Sequence, residues 1–549
     1  MLSRGSLGSG GILGKGDVVS QEDLGGYISL LLKQFCQPHN NLAQIILSHN
    51  GPGTGLDYTD GETEVHLSLE ALETSSAKLA GYLAQRGVGR QDKIGVLLPK
   101  TPELLISALA IWRLGAIYVP LFTAFGYDAI SYRVADCTAD YVITDVANCS
   151  KLEIDRDYRV LVVGEVTPAG TESFAQALEA SPYQGFQPLS PDELIVLIYT
   201  SGTTGTAKGV PVPIWALAAL QSYMTLGIGL TATDKYWNLA DPGWAYGLYY
   251  GLIAPMSLGH GVLFVNQSFD PSSVEEIWRR YEITNFAAAP TAYRALRVAI
   301  GDRVVDSHLT TMSSAGEPLN PEVISWALAN LGVEIRDHYG QTELGMMINN
   351  HNDPRLRNNL IPGSMGVTAP GFRAVLLDDQ ARELGPGVDG EVAIDTWSSE
   401  LFWFPGYFNA SQKTAGRFTG DGRYYLTGDV ASKDESGNFF FSGRSDDVIL
   451  SAGYRVGPFE VESTILSHPK VAECAVIGVP DELRGEAIWA YVVLRAGETS
   501  DQDLTSEIQE IVRSRLSKTS YPRKVIVIDE LPKTPSGKIQ RFLLRKGAS

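Results

Sequence analysis

The segment at residues 199–209, YTSGTTGTAKG, has the composition of a loop that binds phosphate groups. An apolar run at residues 194–198 leads into it and predicts a buried strand. Glycines let backbone N–H groups approach a polyanion, hydroxyls donate further hydrogen bonds, and Lys208 adds a positive charge. The loop is not a Walker A motif, because five residues separate Gly202 from Lys208 and a glycine follows the lysine. The predicted phosphate-binding residues are Thr200, Ser201, Gly202, Thr203, Thr204, Gly205 and Lys208.

Two later segments carry side chains suited to nucleotide chemistry. Residues 338–343, HYGQTE, combine an aromatic ring for stacking with Thr342 and Glu343, two oxygen ligands for a hard cation such as Mg²⁺. Residues 425–429, YLTGD, are predicted to end a strand with Asp429, a carboxylate of the kind that pairs with ribose hydroxyls.

Two cationic residues nearer the end of the chain complete this set. Arg444 lies in GRSDD at a predicted domain boundary, and Lys538 follows a Ser-Gly turn in PSGKIQR. From Arg513 onward, basic residues clearly outnumber acidic ones, which is typical either of a solvated basic face or of an anion-binding surface. A phosphate loop, an acidic metal ligand and two such cations together favour nucleotide chemistry.

The composition excludes some classes of partner. The chain has 549 residues and a formal net charge of −19, so it has no general attraction to nucleic acid or to an anionic membrane. A polyanionic ligand therefore requires locally concentrated positive charge. Four cysteines without CxxC spacing predict a reducing compartment and no structural zinc. No apolar stretch reaches 18 residues and the opening residues lack a secretory signal, so we expect a cytoplasmic protein without a membrane span.

Alternating helix and strand patterns predict an α/β fold for most of the chain. Strand, helix and strand in succession with short links are typical of a parallel or mixed sheet with crossover helices. The predicted helices are 75–86, 103–114, 272–280 and 504–516. The predicted strands are 93–99, 116–121, 194–198, 261–265, 374–379, 390–394, 471–479 and 525–528.

The same patterns predict a division into domains. Residues 1–22 are predicted to be a flexible tail, and residues 23–445 a large domain of α/β sheets. Short strands with Gly and Asp turns predict a β-rich subdomain over about residues 360–445. Residues 446–549 are predicted to form a small, mobile α+β domain of normal domain size.

In this order, the segments resemble the motifs of the adenylate-forming superfamily of acyl-CoA synthetases, luciferases and peptide-synthetase adenylation domains. The resemblance spans roughly residues 70–546. It is strongest to the acetyl- and medium-chain acyl-CoA synthetases. The segments that carry this closer resemblance are DPGW at 241–244, AGEPL at 315–319, AGYRVGP at 452–458 and GKIQR at 537–541.

The resemblance implies a two-step reaction. ATP and a small carboxylic acid give an acyl adenylate and pyrophosphate, and coenzyme A then displaces AMP to form a thioester. Residues 200–208 would bind the β- and γ-phosphates, and Lys538 would lie between the acyl carboxylate and the α-phosphate. The residues implied to frame adenine are Gly316, Glu317, Pro318, Asp337, His338 and Tyr339, and the cofactor-binding run continues through Gly340 and Gln341. Thr342 would contact the α-phosphate or the acyl carboxylate, and Glu343 would bind Mg²⁺. Asp429 would contact the ribose, and Arg444 the nucleotide.

The second step implies a different surface. In this family the small domain swings about a hinge residue, here Asp446, and exchanges the Lys538 segment for the strand that carries Gly453. Glycine at that position leaves room for the pantetheine arm. The residues implied to contact coenzyme A are Ala452, Gly453, Tyr454, Arg455, Arg484 and Arg513.

Two departures from the family pattern concern the substrate sites. Ala207 stands where the family usually has proline, which removes stiffness but no hydrogen-bond donor. Gly340 stands where acetate-specific relatives have a tryptophan that closes the acyl pocket. With Trp244 as a predicted pocket residue, we expect an acid larger than acetate: medium-chain, branched, cyclic or aryl. His338 is interpreted as a positioned ring, because this chemistry needs no general base.

Other activities remain open at this point. One alternative is an adenylating domain that loads a carrier protein. The carrier-protein arm lacks the 3′-phosphate of coenzyme A, so arginines that bind that phosphate would have no partner in such a domain. An amino-acid substrate requires an acid in the acyl pocket, for which Asp241 is the nearest candidate. A light-emitting oxygenase shares the first step, and a non-catalytic acyl-nucleotide binding protein would not need Lys538, Glu343 and Asp429 together. The sequence leaves the oligomeric state open between monomer and dimer.

Overall fold

A computed structural model describes most of the chain beyond its first residues. The described residues are 24–49, 51, 53–153, 157–200, 207–451, 454–481, 484–500, 503–516, 520–533 and 539–548. The predicted flexible tail at residues 1–22 lies outside them. Among the described residues, no helix combines the length and the apolar character that crossing a membrane requires.

The α-helices are short to medium in length and are distributed along the whole described chain. They are α1 Leu24–Phe35, α2 Leu42–Leu47, α3 Leu69–Ala84, α4 Pro102–Arg113, α5 Tyr127–Cys137, α6 Phe174–Ala177, α7 Leu217–Ser222, α8 Ala245–Leu248, α9 Ala254–Ser257, α10 Pro271–Arg280, α11 Pro290–Ile300, α12 Pro321–Leu331, α13 Ser411–Ala415, α14 Pro458–Leu466, α15 Leu504–Arg515 and α16 Arg541–Ala548. π-Helical turns at Tyr223–Gly227 and Tyr249–Ile253 follow α7 and α8.

The strands alternate with the helices in the first two thirds of the chain and dominate after it. They are β1 Leu56–Thr59, β2 Glu64–Leu67, β3 Lys93–Leu97, β4 Ile117–Pro120, β5 Tyr141–Asp145, β6 Arg159–Val163, β7 Glu172–Ser173, β8 Leu194–Thr200, β9 Lys208–Pro213, β10 Tyr236–Asn238, β11 Val262–Val265, β12 Asn285–Ala288, β13 Thr311–Ala315, β14 Ile335–Gln341, β15 Gly345–Asn349, β16 Ser364–Thr368, β17 Ala374–Leu377, β18 Gly390–Asp395, β19 Tyr424–Lys433, β20 Phe439–Arg444, β21 Ile449–Ser451, β22 Tyr454–Val456, β23 Val471–Asp481, β24 Gly485–Leu494 and β25 Lys524–Val527.

Two large sheets form the body of the described residues before Asp446. One has seven strands in the order β7-β6-β5-β3-β4-β8-β9, parallel except for the antiparallel pair of β8 and β9. The other has ten strands in the order β10-β12-β13-β14-β15-β16-β20-β19-β18-β17. Its first four strands are parallel, and β15 begins an antiparallel series. A small sheet of β11, β1 and β2 accompanies them. This architecture confirms the predicted α/β fold class.

The predicted elements are found close to their expected bounds, with one clear shift. The helix predicted at 75–86 is α3, which begins earlier, at Leu69. Ser68 explains this start, because its hydroxyl accepts a hydrogen bond from the backbone N–H of Ala71 at 3.2 Å and so caps the helix. The predicted β-rich segment contains β16 to β20, and these strands continue the ten-stranded sheet.

The residues after Asp446 have a sheet and a core of their own. Strands β21 to β25 form a five-stranded sheet, against which α14, α15 and α16 pack. Two clusters of buried apolar side chains belong to this part, and among the described residues neither includes a side chain from before Ile449. An independent core is what a separately folding unit requires. The division near Asp446 therefore stays our proposal, with this separation as its support.

A buried ion-pair network ties the two ends of this unit together. The Glu462 carboxylate accepts bonds from Arg541 Nη2 at 2.8 Å and from the Val476 backbone N–H at 2.8 Å. Asp447 pairs with Arg541 at 3.4 Å and with Arg545 at 2.6 Å. Because the Glu462 and Arg541 charges are both largely buried, each requires the other. The network thus connects the residue after Asp446 with the last helix of the chain.

Candidate active site

The two ends of the predicted phosphate loop lie side by side on the seven-stranded sheet. β8 ends at Thr200 and β9 begins at Lys208, and these residues face each other across the antiparallel pair. The loop residues that lie outside the described part are Ser201, Gly202, Thr203, Thr204, Gly205 and Thr206. Lys208 therefore marks the point at which the loop returns to the sheet.

A second group of predicted residues shares one edge of the ten-stranded sheet. The carboxyl ends of β10, β12, β13 and β14 meet there because these strands are parallel. Gly316, Glu317 and Pro318 follow β13, residues 337–341 form the second half of β14, and Trp244 follows β10. Ligands bind at the carboxyl ends of strands in open α/β sheets.

Asp429 is the centre of a cluster of predicted site residues. Its Oδ2 accepts hydrogen bonds from the Tyr339 hydroxyl at 2.6 Å and from Gln341 Nε2 at 2.8 Å. Its Oδ1 pairs with Arg444 Nη1 at 2.8 Å. Asp429 is buried, and a buried carboxylate needs this degree of compensation. The structure thus brings Tyr339 and Gln341 together with Asp429 and Arg444, which lie about a hundred positions further along the sequence.

Asp429 does not end its strand, contrary to the prediction. β19 continues to Lys433, and the register of its pairing with β20 slips between Val430 and Ala431. Gly428 has a φ of 72°, and an added Cβ there would lie 2.9 Å from an Arg444 Nη atom. The glycine thus lets the guanidinium lie against the backbone, and the chain bulges where the sequence pattern suggested an end.

Positive charge is concentrated beside this cluster. Burial lowers the pKa of the Lys208 ammonium, and the nearby charges of Arg417, Lys413 and Arg444 lower it further. Arg417 Nη1 donates to the backbone carbonyl of Thr427 at 3.2 Å, which places it next to the Asp429 strand. In a protein of net charge −19, such a concentration is what a polyanion site requires.

Glu343 is buried in the turn between β14 and β15. Its Oε1 accepts a hydrogen bond from the Tyr407 hydroxyl at 2.7 Å, and the backbone carbonyl of neighbouring Thr342 accepts one from Tyr249 at 3.2 Å. Among the described residues, no three His, Cys, Asp or Glu side chains form a metal cage. Mg²⁺ at nucleotide sites commonly takes one or two carboxylates and completes its shell with phosphates and water, so Glu343 fits that role.

The His338 ring is a neutral structural group in this arrangement. Its Nε2 lies 3.0 Å from the Asn350 carbonyl, which only accepts, so Nε2 carries the proton. Its Nδ1 then accepts the hydrogen bond from the Tyr223 hydroxyl at 2.7 Å. Complete burial lowers the pKa of His338 to about 3. The ring is held in place and uncharged, as expected for a positioned group.

Asp337 and Glu317 face different surroundings although both were predicted to frame adenine. Asp337 is buried, and its Oδ1 has no hydrogen-bond partner among the described residues. An exocyclic amino group of a nucleobase is a donor that would satisfy this oxygen. Glu317 accepts bonds from Thr291 and from Arg294 Nη2, each at 2.8 Å, so its carboxylate points to α11. The backbone of residues 316–318 is therefore what remains to contact a base.

Trp244 lies in an aromatic group at the start of α8. Its ring centroid is 5.1 Å from that of Phe122 and 5.3 Å from that of Phe125. Its Nε1 is buried and lacks a hydrogen-bond partner among the described residues. Burial raises the pKa of nearby Asp241, and the Lys100 charge opposes that shift. The predicted pocket residue thus belongs to an aromatic wall with one unused donor.

Gly340 does not leave an empty space beside β14. An added Cβ at this position would lie 2.2 Å from the Gly345 carbonyl oxygen and 2.7 Å from Met346 Sδ. A bulge between Tyr339 and Gly340 brings β15 this close. The glycine is required by that approach, so its presence alone does not open an acyl pocket. The space is occupied by the Gly345 carbonyl oxygen and by Cα and Sδ of Met346.

The C-terminal unit contains a basic cluster that includes two of the predicted arginines. The Arg513 guanidinium lies 3.8 Å from the Tyr521 ring centroid, and that of Arg523 lies 3.6 Å from the same centroid. Partial burial lowers the pKa of Arg523, and the charges of Arg484 and Arg513 lower it further. Arg484 also pairs with Asp481 at 3.5 Å. Two guanidinium groups on one aromatic ring, with the Arg484 charge nearby, suit a ligand with several phosphates and a base.

The remaining predicted residues of this unit lie partly outside the description. Tyr454 and Arg455 form part of β22. Asp446 follows β20, and its Oδ1 is 3.7 Å from Arg444 Nε. Outside the described residues lie Ala452, Gly453 and Lys538.

Four residues with a clear place in these clusters were not predicted: Tyr407, Arg417, Tyr521 and Arg523. Tyr407 and Arg417 lie in a segment whose sequence carries no recognisable chemical pattern. The run YPRK at 521–524 offered a signal, because an aromatic ring between basic residues suits nucleotide binding. Only the distances in the folded chain show that all four belong to sites.

Comparison with protein families identifies the chain. Residues 56–408 match the AMP-binding enzyme family and residues 460–538 match the AMP-binding enzyme C-terminal domain. The chain belongs to the adenylate-forming superfamily. It is an enzyme of the AMP-forming acyl-CoA synthetase type, that is, an acid–thiol ligase.

Its relatives cover nearly its whole length. It is 35% identical over 510 residues to the mitochondrial acyl-coenzyme A synthetase ACSM3 of Mus musculus, covering 88% of this chain and 84% of that protein. It is 36% identical over 504 residues to the acetyl-coenzyme A synthetase of Bacillus subtilis strain 168, covering 89% and 86%. The crystal structure of an acyl-CoA synthetase from Brucella canis matches with a TM-score of 0.73 and 42% identity over 96% of this chain and 97% of that chain.

The neutral state of His338 predicts a pH dependence of stability. The folded pKa of about 3 lies below the ordinary value of 6.5, so the unfolded chain binds more protons between these values. The contribution of His338 to the free energy of unfolding is therefore fully present above pH 6.5. It is lost as the pH falls from 6.5 toward 3, at about 1.4 kcal/mol per pH unit. In urea unfolding between pH 7 and pH 5, His338→Gln should show a correspondingly weaker dependence. Identical slopes for the two proteins would contradict a neutral buried ring.

Proposed function

We propose that this enzyme is an ATP-dependent carboxylic acid:CoA ligase that forms an acyl adenylate and then acyl-CoA, AMP and pyrophosphate. The observation that carries the proposal is the convergence of Lys208, Arg417 and Arg444 with Glu343 and Asp429 at one site. Two anions must meet in the first step, so cationic stabilisation is its main catalytic need. The names of its relatives agree with this reaction.

Six of the predicted residues receive a proposed role in the first step. The carboxylate oxygen of the acid forms a bond to the α-phosphorus, and the bond to the bridging oxygen of the β-phosphate breaks. Lys208 and the preceding loop hold the departing pyrophosphate, Asp429 and Arg444 hold the ribose and nucleotide, and Thr342 lies at the α-phosphate. Mg²⁺ bound at Glu343 would neutralise charge on the phosphates. Lys538 neutralises charge between the two reacting groups.

The second step uses the C-terminal unit in another orientation. The thiol of coenzyme A releases its proton to solvent and attacks the acyl carbon, and AMP leaves with the electrons of the broken C–O bond. We propose that rotation at Asp446 exchanges the Lys538 segment for β22 and its neighbours. The separate core of this unit supports movement as one body. The internal pairs of Asp447 with Arg541 and Arg545 would travel with it.

Free coenzyme A is the proposed thiol, rather than a carrier-protein arm. The support is the pair of Arg513 and Arg523 against Tyr521, with the charge of Arg484 nearby. Coenzyme A carries an adenine ring and a 3′-phosphate that a carrier arm lacks, and arginine forks suit phosphate oxygens. The proposed compartment is the cytoplasm, which the free thiols of the four cysteines support.

The proposed acid is larger than acetate: medium-chain, branched, cyclic or aryl. The support is the aromatic wall of Trp244, Phe122 and Phe125, whereas Gly340 lends none because backbone atoms of Gly345 and Met346 occupy the space beside it. A screen of ATP- and coenzyme A-dependent AMP release across short, medium, branched and aromatic acids tests it. We expect higher kcat/KM for the larger acids, and turnover confined to acetate and propionate would refute it.

A change at Lys538 should separate the two steps. Lys538→Ala removes the charge between the acid and the α-phosphate, so acid-dependent pyrophosphate exchange should fall by at least about a hundredfold. Thioester formation from supplied acyl adenylate should stay within about threefold, because that step uses another surface. Both half-reactions are measured on the same protein. Equal loss in both would refute rotation about Asp446.

Changes in the arginine cluster should affect only the second step. Arg513→Ala or Arg523→Ala removes a charge-assisted contact, so the KM for coenzyme A should rise by about tenfold or more. The increase should be smaller with 3′-dephospho-coenzyme A, and acid-dependent pyrophosphate exchange should stay unchanged. The matched control is Arg515→Ala on the same helix, where Arg515 contacts Ser467 instead. If neither Arg513→Ala nor Arg523→Ala changes the KM for coenzyme A, a carrier-protein acceptor is favoured.

A further inference from the structure

Tyr407 is the contact point between the predicted phosphate-loop lysine and the predicted metal carboxylate. Its hydroxyl is 2.7 Å from Glu343 Oε1, 3.1 Å from Arg417 Nε and 3.5 Å from Lys208 Nζ. The ring also lies under the lysine, with 4.5 Å between Lys208 Nζ and the ring centroid. Tyr407 is buried, so these contacts are shielded from water.

The hydrogen-bonding capacity of this hydroxyl is fully used. A phenol has one proton to donate and two lone pairs that accept. Arg417 and Lys208 only donate, so the Tyr407 proton goes to Glu343 and the two cations bond to the lone pairs. A tyrosine phenol carries its proton at neutral pH, so this group donates to Glu343 as well as accepting from the two cations.

A neutral hydroxyl at this point separates opposite charges that would otherwise meet. Without it, the Glu343 carboxylate and the Arg417 and Lys208 cations face one another across the vacated space. Opposite charges in a buried setting attract strongly and would pair directly. Such a pair would occupy both the carboxylate that a metal ion needs and the cations that a phosphate needs.

We propose that Tyr407 is a positioning residue that holds Glu343 and the cations Lys208 and Arg417 apart, so that the carboxylate stays available to Mg²⁺ and the cations to the ATP phosphates. The inference rests on the proposed function, because it assigns those two ligands to the groups that Tyr407 separates. Tyr407 itself touches neither reacting atom in this assignment.

Arg417 extends the same arrangement to the Asp429 strand. Its Nη1 donates to the backbone carbonyls of Leu426 at 3.3 Å and Thr427 at 3.2 Å. Through Tyr407 and Arg417, the Glu343 turn is therefore connected to the strand that carries Asp429. One hydroxyl thus links the proposed metal, phosphate and ribose contacts.

The substitution Tyr407→Phe tests the proposal because it keeps the ring and removes only the hydroxyl. Calorimetry should show MgATP binding weakened by about tenfold, since Glu343 then pairs with the cations and this pairing must be broken before MgATP binds. AMP, which lacks the β- and γ-phosphates, should bind within twofold of the unaltered protein. In pyrophosphate exchange, the Mg²⁺ concentration for half-maximal rate should rise, with the KM of the acid unchanged.

A matched control lies elsewhere on the ten-stranded sheet. The Tyr424 hydroxyl donates to Glu383 at 2.7 Å, and that carboxylate also pairs with Arg373. Tyr424→Phe therefore removes the same kind of bond away from the site and should alter neither MgATP nor AMP binding. Equal weakening of MgATP and AMP in Tyr407→Phe, or no weakening of either, would overturn the proposal.

Two further variants separate a positioning role from a structural one. In a Glu343→Gln background there is no carboxylate to capture the cations, so Tyr407→Phe should add little further loss of MgATP affinity. Full additivity would overturn the proposal. If Tyr407→Phe does not fold, Tyr407→Gln decides, because its amide donates to Glu343 and accepts from Arg417. That variant should retain MgATP affinity within a few-fold, and a tenfold loss would count against the proposal.

Failure of this inference is distinguishable from failure of the proposed function. If the unaltered protein shows no acid-dependent pyrophosphate exchange, the proposed ligase reaction is wrong. The comparison of MgATP with AMP binding still tests Tyr407 in that case, because it requires no turnover.

Discussion

The burial of the Asp429 charge is the constraint on which the arrangement of the site depends. Asp429 lies on β19, whereas Tyr339 and Gln341 lie on β14, and three strands stand between them in the sheet. Neighbouring strands are separated by about 4.8 Å, so in a flat sheet these strands would be roughly 19 Å apart. Hydrogen bonds of 2.6 and 2.8 Å therefore require the sheet to curl until its parallel and antiparallel parts face each other. The concave side of that curl is where the site lies.

The curl also brings positive charge together in a protein with a large negative net charge. Lys208 arrives from the seven-stranded sheet, Arg417 from the segment before β19, and Arg444 from the end of β20. Each cation has a partner within the site: the Tyr407 hydroxyl for Lys208, the Thr427 carbonyl for Arg417 and Asp429 for Arg444. These partners hold the cations in place before a ligand arrives, which reduces the reorganisation that binding would otherwise require.

The C-terminal unit follows different physical rules. Its core does not merge with that of the preceding residues among the described side chains, and its buried Glu462 is neutralised internally by Arg541. A unit whose buried charges are paired within itself can change its orientation without exposing an uncompensated charge. In its second charged region, Arg513 and Arg523 lie against Tyr521, and the ion pairs of Arg513 with Glu510 at 3.8 Å and of Arg484 with Asp481 at 3.5 Å are partly exposed, which suits a ligand that comes and goes.

The sequence by itself determined the fold class, most element positions and the residue types of the site. This was possible because apolar periodicity and glycine-rich turns express local requirements that the neighbouring residues alone can reveal. The tertiary structure alone decided that Asp429 lies within a strand, that Gly345 and Met346 occupy the space beside Gly340, and that Glu317 points to α11. It also decided that the sites include Tyr407, Arg417, Tyr521 and Arg523. Hydrogen bonds, ring contacts and close packing depend on distances between residues far apart in the chain, and no local pattern encodes those distances.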